Sequence, residues 1–84
     1  MAIAKAEFLN AIADERTRQD EKWGRNFVGV DRMLVVLMEE VGESAKAQLE
    51  RDEGPASTEE LLTELVQVAA VCSKLFELIK AGSR

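Results

Sequence analysis

Apolar residues recur at helical spacing in three stretches of the chain, and two breaks separate them. From about Ile3 to Lys22, an apolar side marked by Ile3, Phe8, Ala11 and Ile12 gives way to a charged second half, and Trp23-Gly24 ends the pattern. The stretch from Gly24 to Asp31 reads as a joint with two glycines. Asp31 is the expected N-cap of a second helix that runs to about Arg51, with Leu34, Leu37, Met38, Val41 and Ala45 as its main apolar stripe. Asp52-Glu53-Gly54-Pro55 is the clearest break. Ser57-Thr58-Glu59-Glu60 carries the S-x-x-E pattern of a capping box. It predicts a third helix from there to about Ala81, stopped by Gly82. Val35-Val36 and the run from Val66 to Val71 are rich in β-branched residues, but both lie inside long 3.6-period patterns without turn residues, so helix is expected there too.

The expected fold is therefore all-α, a bundle of about three helices. At 84 residues it forms one domain, 1–84, near the lower end of what a single core supports. The third helix is apolar on more than one face, with Leu61, Leu62, Leu65, Val66, Val68, Ala69, Cys72, Leu75, Phe76 and Ile79 around most of it. Three short helices leave much of that surface uncovered, so a homodimer or homotetramer is expected to complete the bundle.

Composition narrows the chemistry. The chain has no histidine and one cysteine, Cys72. Ser-His-Asp hydrolysis, Cys-His proteolysis and histidine-ligated zinc are excluded, and carboxylate, lysine and metal chemistry remain. A lone thiol cannot form an internal disulfide, and with nothing to activate it Cys72 reads as a small core residue, consistent with a reducing cytosol. Net charge is −5 without a basic stripe, which argues against nucleic acid as a partner. No apolar run is long enough to span a bilayer and no signal-peptide pattern is present, so the expectation is a cytoplasmic protein with no membrane association.

The most distinctive stretch is Met38-Glu39-Glu40-Val41-Gly42-Glu43-Ser44-Ala45-Lys46-Ala47. At about 100° per residue, Glu39, Glu40 and Glu43 share one arc of the second helix with Val36 and Ala47, so the acidic patch is expected to face a partner helix. On the third helix Glu60, Glu64, Gln67, Val71, Lys74 and Leu78 form a matching stripe. An antiparallel pairing across Gly54-Pro55 sets Glu40 and Glu43 opposite Glu64 and Gln67. Three carboxylates and an amide oxygen around one point suit Mg²⁺, with Mn²⁺ as an alternative. The plain alternatives are that Glu39 pairs with solvent or Lys46, that Glu60 is occupied in capping, and that the remaining glutamates are solvated. Gly42 weighs against the last of these, because an interior glycine costs roughly 1 kcal/mol and points to a close approach to the backbone.

Glu40-Val41-Gly42-Glu43 followed by Glu64-Leu65-Val66-Gln67 resembles the metal-binding pattern of the MazG-like all-α nucleoside triphosphate pyrophosphohydrolases. The segment Glu15-Arg16-Thr17-Arg18-Gln19-Asp20-Glu21-Lys22-Trp23-Gly24 looks like the amino-terminal part of small phage- and bacterial-type members, and Gln67-Val68-Ala69-Ala70-Val71 is similar to their third-helix run. The resemblance covers about Glu15 to Glu77. It implies Mg²⁺-dependent hydrolysis of a nucleoside triphosphate between the α- and β-phosphates, releasing the monophosphate and pyrophosphate in nucleotide house-cleaning. Glu40, Glu43 and Glu64 then take the metal positions and Gln67 the fourth. Glu39 and Glu40 are the catalytic candidates, with Glu39 as a further ligand or water-orienting base. Arg18, Lys22, Arg25 and Lys74 are phosphate contacts, and Trp23 either stacks on a base or anchors the end of the first helix.

Two departures qualify the match. The family pattern is E-x-x-D, and Gln67 stands where the aspartate would be; an amide oxygen ligates Mg²⁺ but brings no charge and is no base at neutral pH. The chain also stops near the end of its third helix, where many relatives carry another, so a neighbouring subunit supplies that wall or the pocket is open. Two rival readings stand beside the enzyme. One is a non-catalytic helical oligomerisation module whose glutamates pair with Arg16, Arg18 or Lys74 between subunits; the other is a nucleotide-binding protein without hydrolysis.

Overall fold

The structure is a computed structural model, and the description covers residues 2–24, 29–53 and 58–83. Three helices follow one another: α1 Ala2–Trp23, α2 Val30–Glu53 and α3 Thr58–Lys80. Among the described residues there is no strand, so the all-helical expectation is met. No helix is long and apolar enough to cross a membrane among these residues.

The ends follow local chemistry. Gly24, at φ +45°, takes the left-handed conformation that stops α1 and donates its amide to the Asp20 carbonyl at 2.8 Å. The Gly29 carbonyl accepts the Met33 amide at 3.1 Å, so Gly29 holds the cap position of α2. This corrects the expectation for Asp31, which lies inside the first turn, where its charge complements the helix dipole. At the far end of α3, Gly82 at φ +89° donates to the Ile79 carbonyl and Ser83 to the Leu78 carbonyl, at 3.0 and 2.9 Å. That pair of bonds is a Schellman stop. Ser57, the first member of the expected capping box, and the Gly54-Pro55 turn lie outside the described residues.

Helix α3 is central: α2 lies against one side of it and α1 against another, while α1 and α2 do not pack closely together. Residues near the start of α2 meet the end of α3, as Met33 does with Val71 and Leu75, and Glu43 near the middle of α2 meets Glu64 toward the start of α3. The two helices are thus antiparallel, as expected. Met33, Val71 and Leu75 form the buried centre, with Trp23, Val30, Val36 and Leu37 packed around it.

The inward face of α2 differs from the expectation in one respect. It consists of Met33, Val36, Leu37, Glu40, Ser44 and Ala47; of the expected main stripe only Leu37 turns inward, and Leu34, Met38, Val41 and Ala45 are exposed. Helix α3 docks on the edge that carries the glutamates. That arc was the one expected to face a partner helix, so the apolar stripe beside it is left outside the subunit. At Gly42 a Cβ meets no atom within 4 Å among the described residues, so the close approach to its backbone expected from the sequence is not made within the described subunit.

Candidate metal centre

The pairing of α2 with α3 closes the acidic cluster. One carboxylate oxygen from each of Glu40, Glu43 and Glu64 lies within 4.8 Å of the others. Glu40 and Glu43 stand one turn apart on α2, and Glu64 faces them from α3. Burial, reinforced by the neighbouring Glu43 and Glu15 charges, pushes the Glu40 carboxyl above its ordinary value. Glu64 is raised for the same first reason, followed by repulsion from Glu43 and Glu40 and by hydrogen bonds to both that favour a shared proton. A proton or a cation would relieve the repulsion among them, and Glu43, the exposed member, is also open to solvent.

The Gln67 amide fits this cluster in two ways. With its nitrogen turned inward it donates to Glu40 Oε2 at 3.1 Å and Glu64 Oε2 at 3.0 Å, and so stands in for a cation. With its oxygen turned inward it faces only acceptors, the Glu40 and Glu64 carboxylates, a contact that a cation between them would relieve. An all-oxygen set of three carboxylates and an amide matches the preference of Mg²⁺ or Mn²⁺, so the residues present fit the metal.

The remaining candidates divide. Arg18 and Lys22 of α1 reach the cluster electrostatically, both lowering the Glu40 value against its burial. Lys74 is held instead by Asp20, whose Oδ1 accepts from its Nζ at 3.0 Å. Trp23 is half-buried and packs on the Met33, Val71 and Leu75 centre. Glu39 is exposed and is not one of the three clustered carboxylates. Arg25 lies outside the described residues. A groove of about 490 Å³ leads away from Glu43 and Glu64 between α2 and α3, lined further along by Glu50, Glu59 and Glu60 and by a single cation, Lys46. A bare polyphosphate is repelled from such walls.

Glu15 is the residue that the sequence reading passed over as a member of this environment. Its carboxylate accepts from Arg18 Nη2 and Nε at 2.6 and 2.8 Å and from the buried Gln19 Nε2 at 2.9 Å. The Arg18 hydrogen bond holds it below the usual carboxylate range, so it stays charged and adds to the field at Glu40. The 15/18/19 spacing on one helix face is the signal that could have found it.

Comparisons of the chain with models of protein families, with curated proteins and with solved structures find no match.

Proposed function

We propose that the chain is a MazG-like, Mg²⁺-dependent nucleoside triphosphate pyrophosphohydrolase, a cytoplasmic enzyme acting on free nucleotides as a homodimer or homotetramer. The observation that carries this reading is the convergence of Glu40, Glu43 and Glu64, from two helices, beside Gln67. Glu40, Glu43, Glu64 and the Gln67 amide oxygen would hold the ion. When bound, Mg²⁺ supplies polarisation of phosphoryl oxygens and charge neutralisation. Arg18 and Lys22 draw the phosphate chain toward the α1 side of the cluster. Glu39 and Glu40 are assigned to orient the attacking water and take its proton as its oxygen bonds to phosphorus and the bridging P–O bond breaks, with pyrophosphate leaving.

Within the chain, Arg16 pairs with Glu77, Arg18 with Glu15 and Lys74 with Asp20. Two of the three cations on which a purely oligomeric role for the glutamates depends, Arg16 and Lys74, are thus engaged elsewhere, while Arg18 stays half-exposed beside Glu40; this favours the enzyme. The test is a pyrophosphate-release screen across standard and modified nucleoside triphosphates with Mg²⁺ or Mn²⁺. Release is expected from the parent protein and lost in Glu43→Gln and Glu64→Gln, with helicity retained in both. Metal-dependent nucleotide binding without release would mean a binder that does not hydrolyse. Neither binding nor release would leave the oligomerisation module.

A further inference from the structure

We propose that the groove between the amino-terminal halves of α1 and α3 is the docking site for an amphipathic helix of another protein, one that carries lysine or arginine beside its apolar face. The proposal goes beyond the hydrolytic reading and uses none of the metal-site residues.

The groove is lined by residues of α1 between 4 and 15 and of α3 between 59 and 69. Later residues of the two helices then meet, Asp20 with Lys74 and Trp23 with the Met33, Val71 and Leu75 centre. The two helices therefore run in the same direction, closed at one end and open toward their amino termini. On α1 the apolar lining includes Ala4, Phe8 and Ala11, and on α3 Leu62, Val66 and Ala69. Each set advances by four residues and then by three, the spacing of a helix seam. Two such seams side by side leave a slot of about 860 Å³.

Length and openness decide the kind of occupant. At about 1.5 Å per residue, the span from Ala4 to Glu15 is about 16 Å, or about three turns of helix. Phe8 is 42% exposed and Leu62 48%, so the walls are low and a small molecule between them would stay largely in water. A helix lies in such a slot with its backbone groups already bonded to one another, and presents apolar residues at i, i+3 or i+4, and i+7. Ala4, Ala11 and Ala69 let it come close. An extended segment would need a sheet edge to pair with, and among the described residues there is no strand.

Charge specifies the partner. Glu7, Glu15 and Glu59 rim the groove, and among the described residues that line it there is no lysine or arginine. Glu15 is paired with Arg18, whereas Glu7 and Glu59 have no ion pair among the described residues. Both stand in the first two turns of their helices, at the open end, so basic residues are required chiefly on the part of the partner that lies there. A second copy set groove to groove about a twofold axis would bring the same glutamates of both chains together. With a net charge of −5, like charges oppose that pairing. An anionic membrane surface is repelled in the same way.

Fluorescence anisotropy of labelled synthetic peptides with the full chain tests the proposal. The first peptide is a helix of about five turns with leucine and alanine on one face and lysine beside them. The second has glutamate for each lysine, and the third is the first with its order scrambled so that no apolar face forms. In about 0.15 M salt the lysine peptide should bind about tenfold or more tightly than either of the others. Glu7→Lys with Glu59→Lys should weaken it about tenfold, and Leu62→Gln should weaken it similarly. Glu21→Lys with Glu39→Lys, the same charge change at exposed positions away from the groove, should leave it within about twofold. Should a groove variant unfold, the three peptides on the parent chain still decide. Equal binding of the glutamate or the scrambled peptide overturns the proposal, as does binding that the Glu7 and Glu59 changes leave untouched. Binding that weakens as the protein's own concentration rises would assign the groove to a second copy and overturns it too. None of these results depends on pyrophosphate release.

Discussion

Glu40 and Glu64 work against the metal-free protein at neutral pH. Burial raises both above the ordinary 4.5 of a glutamate, so the native state binds their protons more tightly than the unfolded chain does. Their stabilising contribution is complete below about pH 4.5 and is lost as pH rises through the raised values. Glu15 and Glu77 behave oppositely. The hydrogen bonds from Arg18 and Arg16 lower them, so their contribution is present above 4.5 and lost as pH falls through their folded-state values. In chelator, the melting temperature should therefore rise as the solution is acidified from about pH 7 toward about pH 5, and fall at lower pH. Glu64→Gln should melt higher than the parent at pH 7 and flatten the neutral limb. Melting curves in chelator that show stability increasing from pH 5 to 7 would contradict this. The cluster was legible in the sequence because E-x-x-E spacing on one helix and Glu64 with Gln67 on the next need only an antiparallel pairing to meet. Glu15 was not, since its place depends on where α1 lies over α3.

Helix α2 shows how far periodicity reads and where it stops. Its span and its acidic arc were legible, the latter because valine and alanine shared it. Which apolar residues the subunit itself buries was not, since Leu34, Met38 and Val41 repeat as regularly as Met33, Leu37 and Ala47. Periodicity shows that a stripe is buried by something, not whether by the same chain. Gly42 gives a measurement at this scale. With open space at its Cβ position, Gly42→Ala should raise stability by up to about 1 kcal/mol through helix propensity alone, read by denaturant unfolding. A loss of stability would mean that another chain touches this backbone. Helix α1 is held differently. Its first turns leave Ile3, Phe8 and Leu9 exposed, and beyond Ile12 polar ties through Arg16 and Asp20 join it to α3. Such exposed ion pairs contribute at most about 1 kcal/mol each, so α1 rests as much on the half-buried Trp23 as on its charges.

The whole subunit is extended, with a radius of gyration of 14.0 Å against about 12 Å for a compact chain of this length. It has two distinct sides. One carries the acidic cluster under α1, and the other carries the apolar hairpin face. Glu40 and Glu64, the half-buried members of that cluster, lower the stability of the metal-free subunit, while Glu43 beside them is exposed. Everything functional then depends on whether Glu40, Glu43, Glu64 and Gln67 form a divalent site. Calorimetric titration of the chelator-stripped protein with Mn²⁺ tests this most directly. The account predicts one ion per chain, with binding weakened about tenfold or more in Glu43→Gln and in Glu64→Gln and largely kept in Glu39→Gln. Binding that is absent in the parent, or equal in the parent and both cluster variants, would contradict it.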